Sequence, residues 1–385
     1  MSAVAPILWS IPFTAPLIVA LLRALNSKSL NDASDRVEPP VPRISVIIPA
    51  RNERRNIERC VRSILATTYL DIEVIVVDDH SDDGTGDIAR AMAANDARLR
   101  VIEAPPLPPG WFGKQWACMT GARAATGELL LFTDADTWHA PDLLARAVNT
   151  LRARDADLLT VAGHQEMHSF WERVIQPQVF GMLSLRYGGT EEVSNTRSPA
   201  NAIANGQFIL VRRTAYDAMG GHERVRDRVA EDLTMAQEYV RAKRRIVMVL
   251  GTEQFSTHMY ASLAELVRGW RKNIYAGGRH AALGGTLGRA LFPVVLLAVP
   301  LLGLAAPIAL PFALLGVLSH AWLTWSTIVV SVSVIFWMAI YRFMREPIVY
   351  ALLFPLGLVM LFYIAIGAIL RGQRVEWKQR TYTST

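Results

Sequence analysis

Two carboxylates one residue apart, Asp134 and Asp136, follow directly on the apolar run Leu129-Leu130-Leu131-Phe132-Thr133. Asp-x-Asp at the end of a buried strand suits a hard divalent cation, which takes one or two carboxylate oxygens and completes its shell from phosphate and water. A plainer use of the same residues is helix capping, since acids after a strand are common N-caps and Pro141-Asp142 lies shortly beyond. Two other acidic positions sit in similar places. Asp79 ends Val76-Val77-Asp78-Asp79 and opens the polar loop His80-Ser81-Asp82-Asp83-Gly84-Thr85, and Glu231 and Asp232 begin a predicted helix, Glu231–Arg241. A carboxylate of that last pair fits a general acid or base. Adjacent helical residues diverge by about 100°, so only one of the two is expected to face a crevice, with the other toward solvent or capping the helix.

The elements that must position these acids alternate in type. Ile44–Ile48, closed by Pro49, reads as a β-branched strand, and Glu53–Ala66 as a helix with Ile57, Val61, Ile64 and Leu65 on one face. Ile72–Val77 and Leu99–Ile102 read as strands, Gln115–Ala125 as a helix, and Leu129–Thr133 as the strand that delivers Asp134. A helix over Pro141–Arg152, strands at Asp157–Val161 and Gln207–Val211, and a last strand at Ile246–Leu250 complete the pattern. Strands alternating with helices predict an α/β, Rossmann-like, mostly parallel sheet, and in such sheets ligands collect at the carboxyl ends of the strands. Phe170–Tyr187 is a helix rich in bulky apolar residues, equally consistent with the membrane surface and with an ordinary core.

Half of the chain's 385 residues are apolar, 51 %, and they are concentrated at the ends. Val4–Leu25 is an uncharged run except for Arg23, and 290–370 carries long apolar stretches, so both regions are expected to span a bilayer. Arg23 and Lys28 follow the first run and no charge precedes it, which is the order of an uncleaved anchor with the next domain on the cytoplasmic side. The C-terminal region divides into about three segments; three passes put Arg371, Arg374, Lys378 and Arg380 outside, whereas a break of the first segment at Pro300, Pro307 or Pro311 returns the tail inside. The net charge of +6 is scattered through helices and beside apolar segments, which lipid headgroups account for better than nucleic acid, and no nucleic-acid partner is expected. Two cysteines, Cys60 and Cys118, are too few for a disulfide framework. No Gly-x-Gly-x-x-Gly follows the first strand and no Gly-Lys-Ser/Thr loop occurs, which argues against a dinucleotide oxidoreductase and a P-loop kinase.

Ser45-Val46-Ile47-Ile48-Pro49-Ala50-Arg51-Asn52-Glu53 and Val76–Thr85, together with Asp134-Ala135-Asp136 and Glu231-Asp232, resemble the membrane-bound family 2 glycosyltransferases with a GT-A domain, over roughly 43–280. The resemblance implies that Pro49, Arg51, Glu53 and Asp79 hold the nucleotide. It further implies that Asp134 meets ribose and, with Asp136, a Mg2+ or Mn2+ ion on the diphosphate, and that Asp232, with Glu231 beside it, is the catalytic base. Pro109-Gly110-Trp111-Phe112-Gly113-Lys114-Gln115-Trp116-Ala117 and Asn205–Arg213 are similar to the branch that glycosylates lipids, the carotenoid, hopanoid and ceramide glucosyltransferase-like proteins. Lys114 is then expected at the donor phosphates and Gln207 on the acceptor side, while Trp111 and Trp116 either wall the sugar pocket or belong to the core.

One departure matters. Processive relatives carry Gln-x-x-Arg-Trp, whereas this chain has Arg268-Gly269-Trp270-Arg271-Lys272, which favours addition of a single sugar. Trp270 and Arg271 are expected to meet the acceptor, and Lys272 either phosphate or lipid headgroups. The expected layout is an anchor at 1–25, a linker at 26–42, the catalytic domain at 43–255, an acceptor-side segment at 256–289, a membrane region at 290–370 and a basic tail at 371–385. The implied activity is inverting, metal-dependent transfer of a hexose from a nucleotide-diphosphate sugar, UDP-linked by the resemblance, to a membrane lipid at the inner membrane. The alternatives are a polyprenyl-phosphate glycosyltransferase and a non-catalytic binder of nucleotide sugar or lipid.

Overall fold

A computed structural model describes residues 4–280, 282, 284–372, 374–377 and 380–383. Along the chain the first elements are α1 (Ala5–Ala24), β1 (Ile44–Ala50), α2 (Ile57–Leu65), β2 (Ile72–Asp78), α3 (Thr85–Ala93) and β3 (Leu99–Glu103). There follow α4 (Gly113–Ala124), β4 (Leu129–Thr133), β5 (Thr137–His139), α5 (Leu143–Ala153), β6 (Leu158–Ala162), β7 (His164–Gln165) and α6 (Phe170–Tyr187). Beyond these come α7 (Thr190–Ser194), β8 (Phe208–Arg212), α8 (Arg213–Ala218), α9 (Glu231–Arg241), β9 (Ile246–Leu250) and β10 (Phe255–Thr257). The last helices are α10 (Leu263–His280), α11 (Gly285–Leu314), α12 (His320–Phe343) and α13 (Phe354–Arg371).

The chain divides into two compact units. The first comprises Ser27–Glu166 and Thr190–Met259 with the described part of Gln373–Thr385; the second comprises Met1–Asn26, Met167–Gly189 and Tyr260–Gly372.

The first unit is built on a seven-stranded sheet of order β3-β2-β1-β4-β8-β6-β9. Strands β1, β2 and β4 are almost wholly buried, which is why they read as unbroken apolar runs and pair in parallel. The order reverses between β1 and β4, the place where an open α/β sheet leaves a crevice at its carboxyl edge. Registers Ala50↔Asp78 and Ile47↔Phe132 bring Arg51, Asp79 and Asp134 to that edge together. Strand β8 runs antiparallel to β4, pairing Phe208 with Thr133, so its beginning reaches the same edge and carries Asn205, Gly206 and Gln207 there. Helix α4 lies close on β1 and β2 because Gly121 faces Ile47 and Val77; a Cβ at Gly121 would stand 3.0 Å from Val77 and nearer still to Ile47. That approach fixes the start of α4, and with it Lys114, at the crevice.

Ile246–Leu250 is not the final strand. A second sheet of order β5-β10-β7 follows the same edge, and its strands of two or three residues are too short for a periodic pattern. Strand β1 also runs through Pro49 to Ala50; at β1, Pro49 lies opposite Val77 near the strand end, where a missing N–H is tolerated. Within 26–42, Leu30 is fully buried in the core of this unit, Leu250 N–H donates to the Lys28 carbonyl at 2.8 Å, and Arg146 donates to the Ala33 carbonyl at 2.5 Å. The polar composition that suggested a free linker thus belongs to a strap laid along the domain.

The second unit is helical. Four stretches, Ala5–Ala24, Gly285–Leu314, His320–Phe343 and Ile348–Arg371, are long and apolar enough to cross a membrane. Pro293, Pro300, Pro307 and Pro311 all lie inside one continuous helix, α11, so the proline-rich stretch does not break into a re-entrant pair. Lys378 of the expected basic tail lies outside the described residues. Helix α6 opens with a capping box between Ser169 and Glu172 and contains Pro177, which cannot donate to the Arg173 carbonyl. The hydroxyl of Tyr341 on α12 donates to that carbonyl instead, at 2.5 Å. Helix α6 is therefore a packed member of this unit, with Val174, Ile175 and Val179 buried and Phe170 and Leu183 exposed.

Candidate active site

Asp134 and Asp136 leave β4 into the turn before β5, and the next helix, α5, begins only at Leu143, so neither acid caps a helix. Asp134 Oδ1 is 2.8 Å from Lys114 Nζ, which is also 2.8 Å from Glu231 Oε1. The lysine thus ties the end of β4 to the start of α9. Burial works against its charge, but Asp134 and Glu231 outweigh burial and raise its pKa well above the ordinary value. Asp232 Oδ2 accepts from the Gly206 N–H at 2.9 Å and Oδ1 from the Leu233 N–H at 2.7 Å. Gly206 is needed for this approach, since a Cβ there would sit 2.8 Å from Asp232 Oδ2. Burial, with Glu231 beside it, pushes Asp232 up to about 6, within reach of a working general base.

Both acids at the start of α9 face the crevice, which corrects the expectation that one of them points to solvent. Pro49, Lys114, Asp134, Gly206, Glu231 and Asp232 line one crevice. Glu231 is only 9 % exposed and is ion-paired with Lys114, whereas among the described residues Asp232 forms no ion pair. Asp136 is half-buried, its Oδ1 is buried without a hydrogen-bond partner, and loss of solvent, Asp134 and Glu53 together push its pKa up to about 8.

The nucleotide-side residues gather around the ends of β1 and β2. Arg51 Nη1 donates to the carbonyls of Asp79, at 2.5 Å, and His80, at 3.3 Å, and lies 3.9 Å from Asp79 Oδ2. Glu53 N–H donates to Thr85 Oγ1 at 2.8 Å, and the Ser81 N–H to Asp78 Oδ1 at 3.1 Å. Asn52 and His80 both have left-handed backbone, with φ of 54° and 55°, and Asn52 N–H donates to Ser81 Oγ. Two such non-glycine residues in facing loops are uncommon and are characteristic of loops held in shape for binding.

Other expected residues are placed elsewhere. The Gln207 amide is turned into a buried network, donating to Thr257 Oγ1 at 3.3 Å and accepting from Gln165 at 3.5 Å. Trp111 and Trp116 are each 9 % exposed and meet edge-on at 5.1 Å, with Trp116 Nε1 donating to the Pro105 carbonyl at 2.8 Å, which is the core arrangement. Trp270 and Arg271 lie on α10 of the helical unit. Sequence reasoning missed one lining residue: His222, whose Nδ1 is 2.8 Å from the Tyr216 hydroxyl, is kept neutral by burial, its pKa lowered to about 3. Only the Gly220-Gly221 pair before it, both at positive φ, marked a tight turn.

An acid-lined crevice at the switch point of a mostly parallel sheet defines a GT-A fold, and the same chain carries membrane-type apolar helices towards both ends of its sequence. Residues 45–220, a little under half of the chain, match the glycosyl transferase family 2 model. The chain is similar to the 4,4'-diaponeurosporenoate glycosyltransferase of Staphylococcus haemolyticus, 26 % identical over 238 residues, covering 61 % of each chain. The enzyme of the same name from Staphylococcus aureus strain USA300 is 26 % identical over 257 residues, covering 66 % of this chain and 65 % of its own. The chain thus spans just under two thirds of the length of these curated relatives. Among solved structures, a mannosyltransferase from Pyrobaculum calidifontis, in complex with GDP-Man and Mn2+, shares the fold at TM-score 0.58 and 21 % identity over 95 % of this chain and 97 % of its own.

Proposed function

We propose that this chain is a glycosyltransferase that moves a hexose, with inversion, from a nucleotide-diphosphate sugar to a lipid in the membrane. The observation that carries the reading is the convergence of Asp134, Lys114, Glu231 and Asp232 on one crevice, with the orphaned oxygen of Asp136 two residues from Asp134. Arg51, Glu53, Pro49 and Asp79 hold the nucleotide, Asp134 its ribose, and Lys114 the diphosphate. Asp232 takes the proton of the acceptor oxygen as that oxygen bonds to the anomeric carbon, the bond from that carbon to the diphosphate breaks, and the nucleoside diphosphate leaves on the opposite face.

Asp136, with Asp134, is the fit for a Mg2+ or Mn2+ ion: a buried carboxylate oxygen without a partner is costly unless a cation answers it. Among the described residues no three His, Cys, Asp or Glu side chains cluster as a ready metal cage, in keeping with an ion that takes its other ligands from diphosphate and water. Such an ion, when bound, offsets the charge that gathers on the leaving diphosphate. The names of the staphylococcal relatives support a lipid acceptor, as do the four apolar stretches, and Arg23 and Lys28 after the first of them support a cytoplasmic catalytic unit at the inner membrane. Mass spectrometry of lipids from cells with and without the gene tests the reading. A lipid one hexose heavier should vanish with the gene; identical lipid profiles would count against it.

A further inference from the structure

One side chain in the crevice wall has no part in the transfer step. His222 lies in the short 3-10 turn Gly221–Val225, which packs against α4 and α9, the helices that carry Lys114 and the Glu231-Asp232 pair. The residue is 3 % exposed and lines the crevice together with Lys114, Glu231 and Asp232. Its imidazole is fixed from behind. The Tyr216 hydroxyl is 2.8 Å from Nδ1 and accepts the His222 backbone N–H at 3.1 Å. Gly221, at φ 54°, lies so close over the tyrosine that a Cβ would stand 2.6 Å from its ring. Phe132 of β4 stacks on Tyr216 at 5.2 Å and meets the imidazole edge-on at 4.5 Å.

These contacts decide which ring nitrogen carries the proton. Burial keeps the Tyr216 phenol protonated, and among the described residues its O–H has no acceptor other than Nδ1. Nδ1 therefore accepts, and the ring, kept neutral by burial, carries its one proton on Nε2. Among the described residues Nε2 has no hydrogen-bond partner, and it is not one of the polar atoms sealed from solvent, so this N–H opens onto the crevice. The result is an uncharged donor beside a lysine whose charge Asp134 and Glu231 already share. A charged imidazole would suit a diphosphate, whereas a neutral N–H suits a hydroxyl, which accepts one hydrogen bond and donates another. Glu231, a carboxylate in the same lining, supplies an acceptor for the second bond. We propose that His222 is a sugar-specificity residue, its Nε2–H donating to one hydroxyl of the donor hexose, with Tyr216 as a positioning residue that acts through it by fixing the tautomer. This rests on the nucleotide-sugar reading above.

The test is calorimetry on the full chain purified in detergent with Mn2+, titrated with UDP-glucose, UDP-galactose, GDP-mannose, UDP and GDP, and with the monodeoxy forms of whichever hexose nucleotide binds. In His222→Phe the sugar nucleotide should bind about tenfold more weakly, while the nucleoside diphosphate binds as in wild type. One deoxy sugar should lose affinity in wild type and show no further loss in His222→Phe, which names the hydroxyl. His222→Gln, whose amide N–H reaches the place of the Nε2–H, should keep most of the preference for the sugar nucleotide. Tyr216→Phe should cost the sugar nucleotide a few-fold and the nucleoside diphosphate nothing, a result that stands by itself should His222→Phe not fold, and it should add nothing to His222→Phe. Equal weakening of nucleotide and sugar nucleotide, unchanged sugar-nucleotide affinity in either variant, or a deoxy penalty of the same size in His222→Phe and wild type would overturn the proposal. Sugar transfer to a lipid by His222→Phe with the wild-type donor KM overturns this role alone; failure of every hexose nucleotide to bind, in wild-type protein that binds UDP or GDP, overturns the donor reading with it.

Discussion

Asp232→Asn is expected to leave donor binding nearly intact and to lower kcat by about 10² to 10⁴-fold, the usual worth of a positioned general base. Asparagine keeps the shape and can still accept from the Gly206 and Leu233 N–H groups that hold Asp232 at 2.9 and 2.7 Å, so the loss isolates the proton transfer. The pH dependence has a definite sign. Burial raises Asp232 to about 6, so the base is protonated and idle below that pH, and the rate should rise through about pH 6 and level off above it. Glu231→Gln should be milder, because Glu231 is already held at 2.8 Å by Lys114 and its loss loosens the lysine without removing the base. Donor affinity by calorimetry beside product formation separates the two. Equal losses in both variants, or lost donor binding in Asp232→Asn, would contradict the assignment.

Chelation should abolish transfer and Mn2+ or Mg2+ restore it, and Asp136→Asn should lower the rate by at least about 10²-fold, the scale of losing one electrostatic stabiliser of a transition state. A distinguishing feature is what happens to stability. Burial lifts the folded pKa of Asp136 from 3.8 to about 8, so its charge costs nothing below about pH 3.8 and costs progressively more as pH rises toward 8. At pH 7.5 without metal, Asp136→Asn should therefore be no less stable than wild type, and more stable by on the order of 1 to 3 kcal/mol. Any such gain should fade as pH falls toward 4. Full activity in excess chelator, or a variant that is inactive because it is unfolded, would refute the role.

The sheet was legible because its central strands are buried on both faces. Ile44–Ile48, Ile72–Val77 and Leu129–Thr133 are runs that only a covered parallel sheet explains, and the acids that follow them fall at its carboxyl edge. What the sequence hid depends on long-range pairing. Nothing local in Phe208–Arg212 marks that strand as antiparallel to β4, and nothing in His164–Gln165 marks a strand at all. The same limit applies to the site. Single residues such as Asp134 and Asp232 stood out by type and place, but the Lys114 bridge joins positions far apart in the chain, and the burial of Glu231 beside Asp232 depends on it. Leu30, inside a segment of polar composition, is fully buried and packs against Gly251, more than two hundred residues away in the chain.

The account stands most directly on whether the purified chain moves sugar from nucleotide to lipid. Full-length protein in detergent, with Mn2+ and a total lipid extract, would be supplied in turn with radiolabelled UDP- and GDP-hexoses, and the organic phase counted. The account predicts that at least one donor places label in the organic phase, and that the Asp232→Asn chain, though it binds that donor, places almost none. Absence of both lipid-linked label and free sugar with every donor, from protein that binds nucleotide, would contradict it.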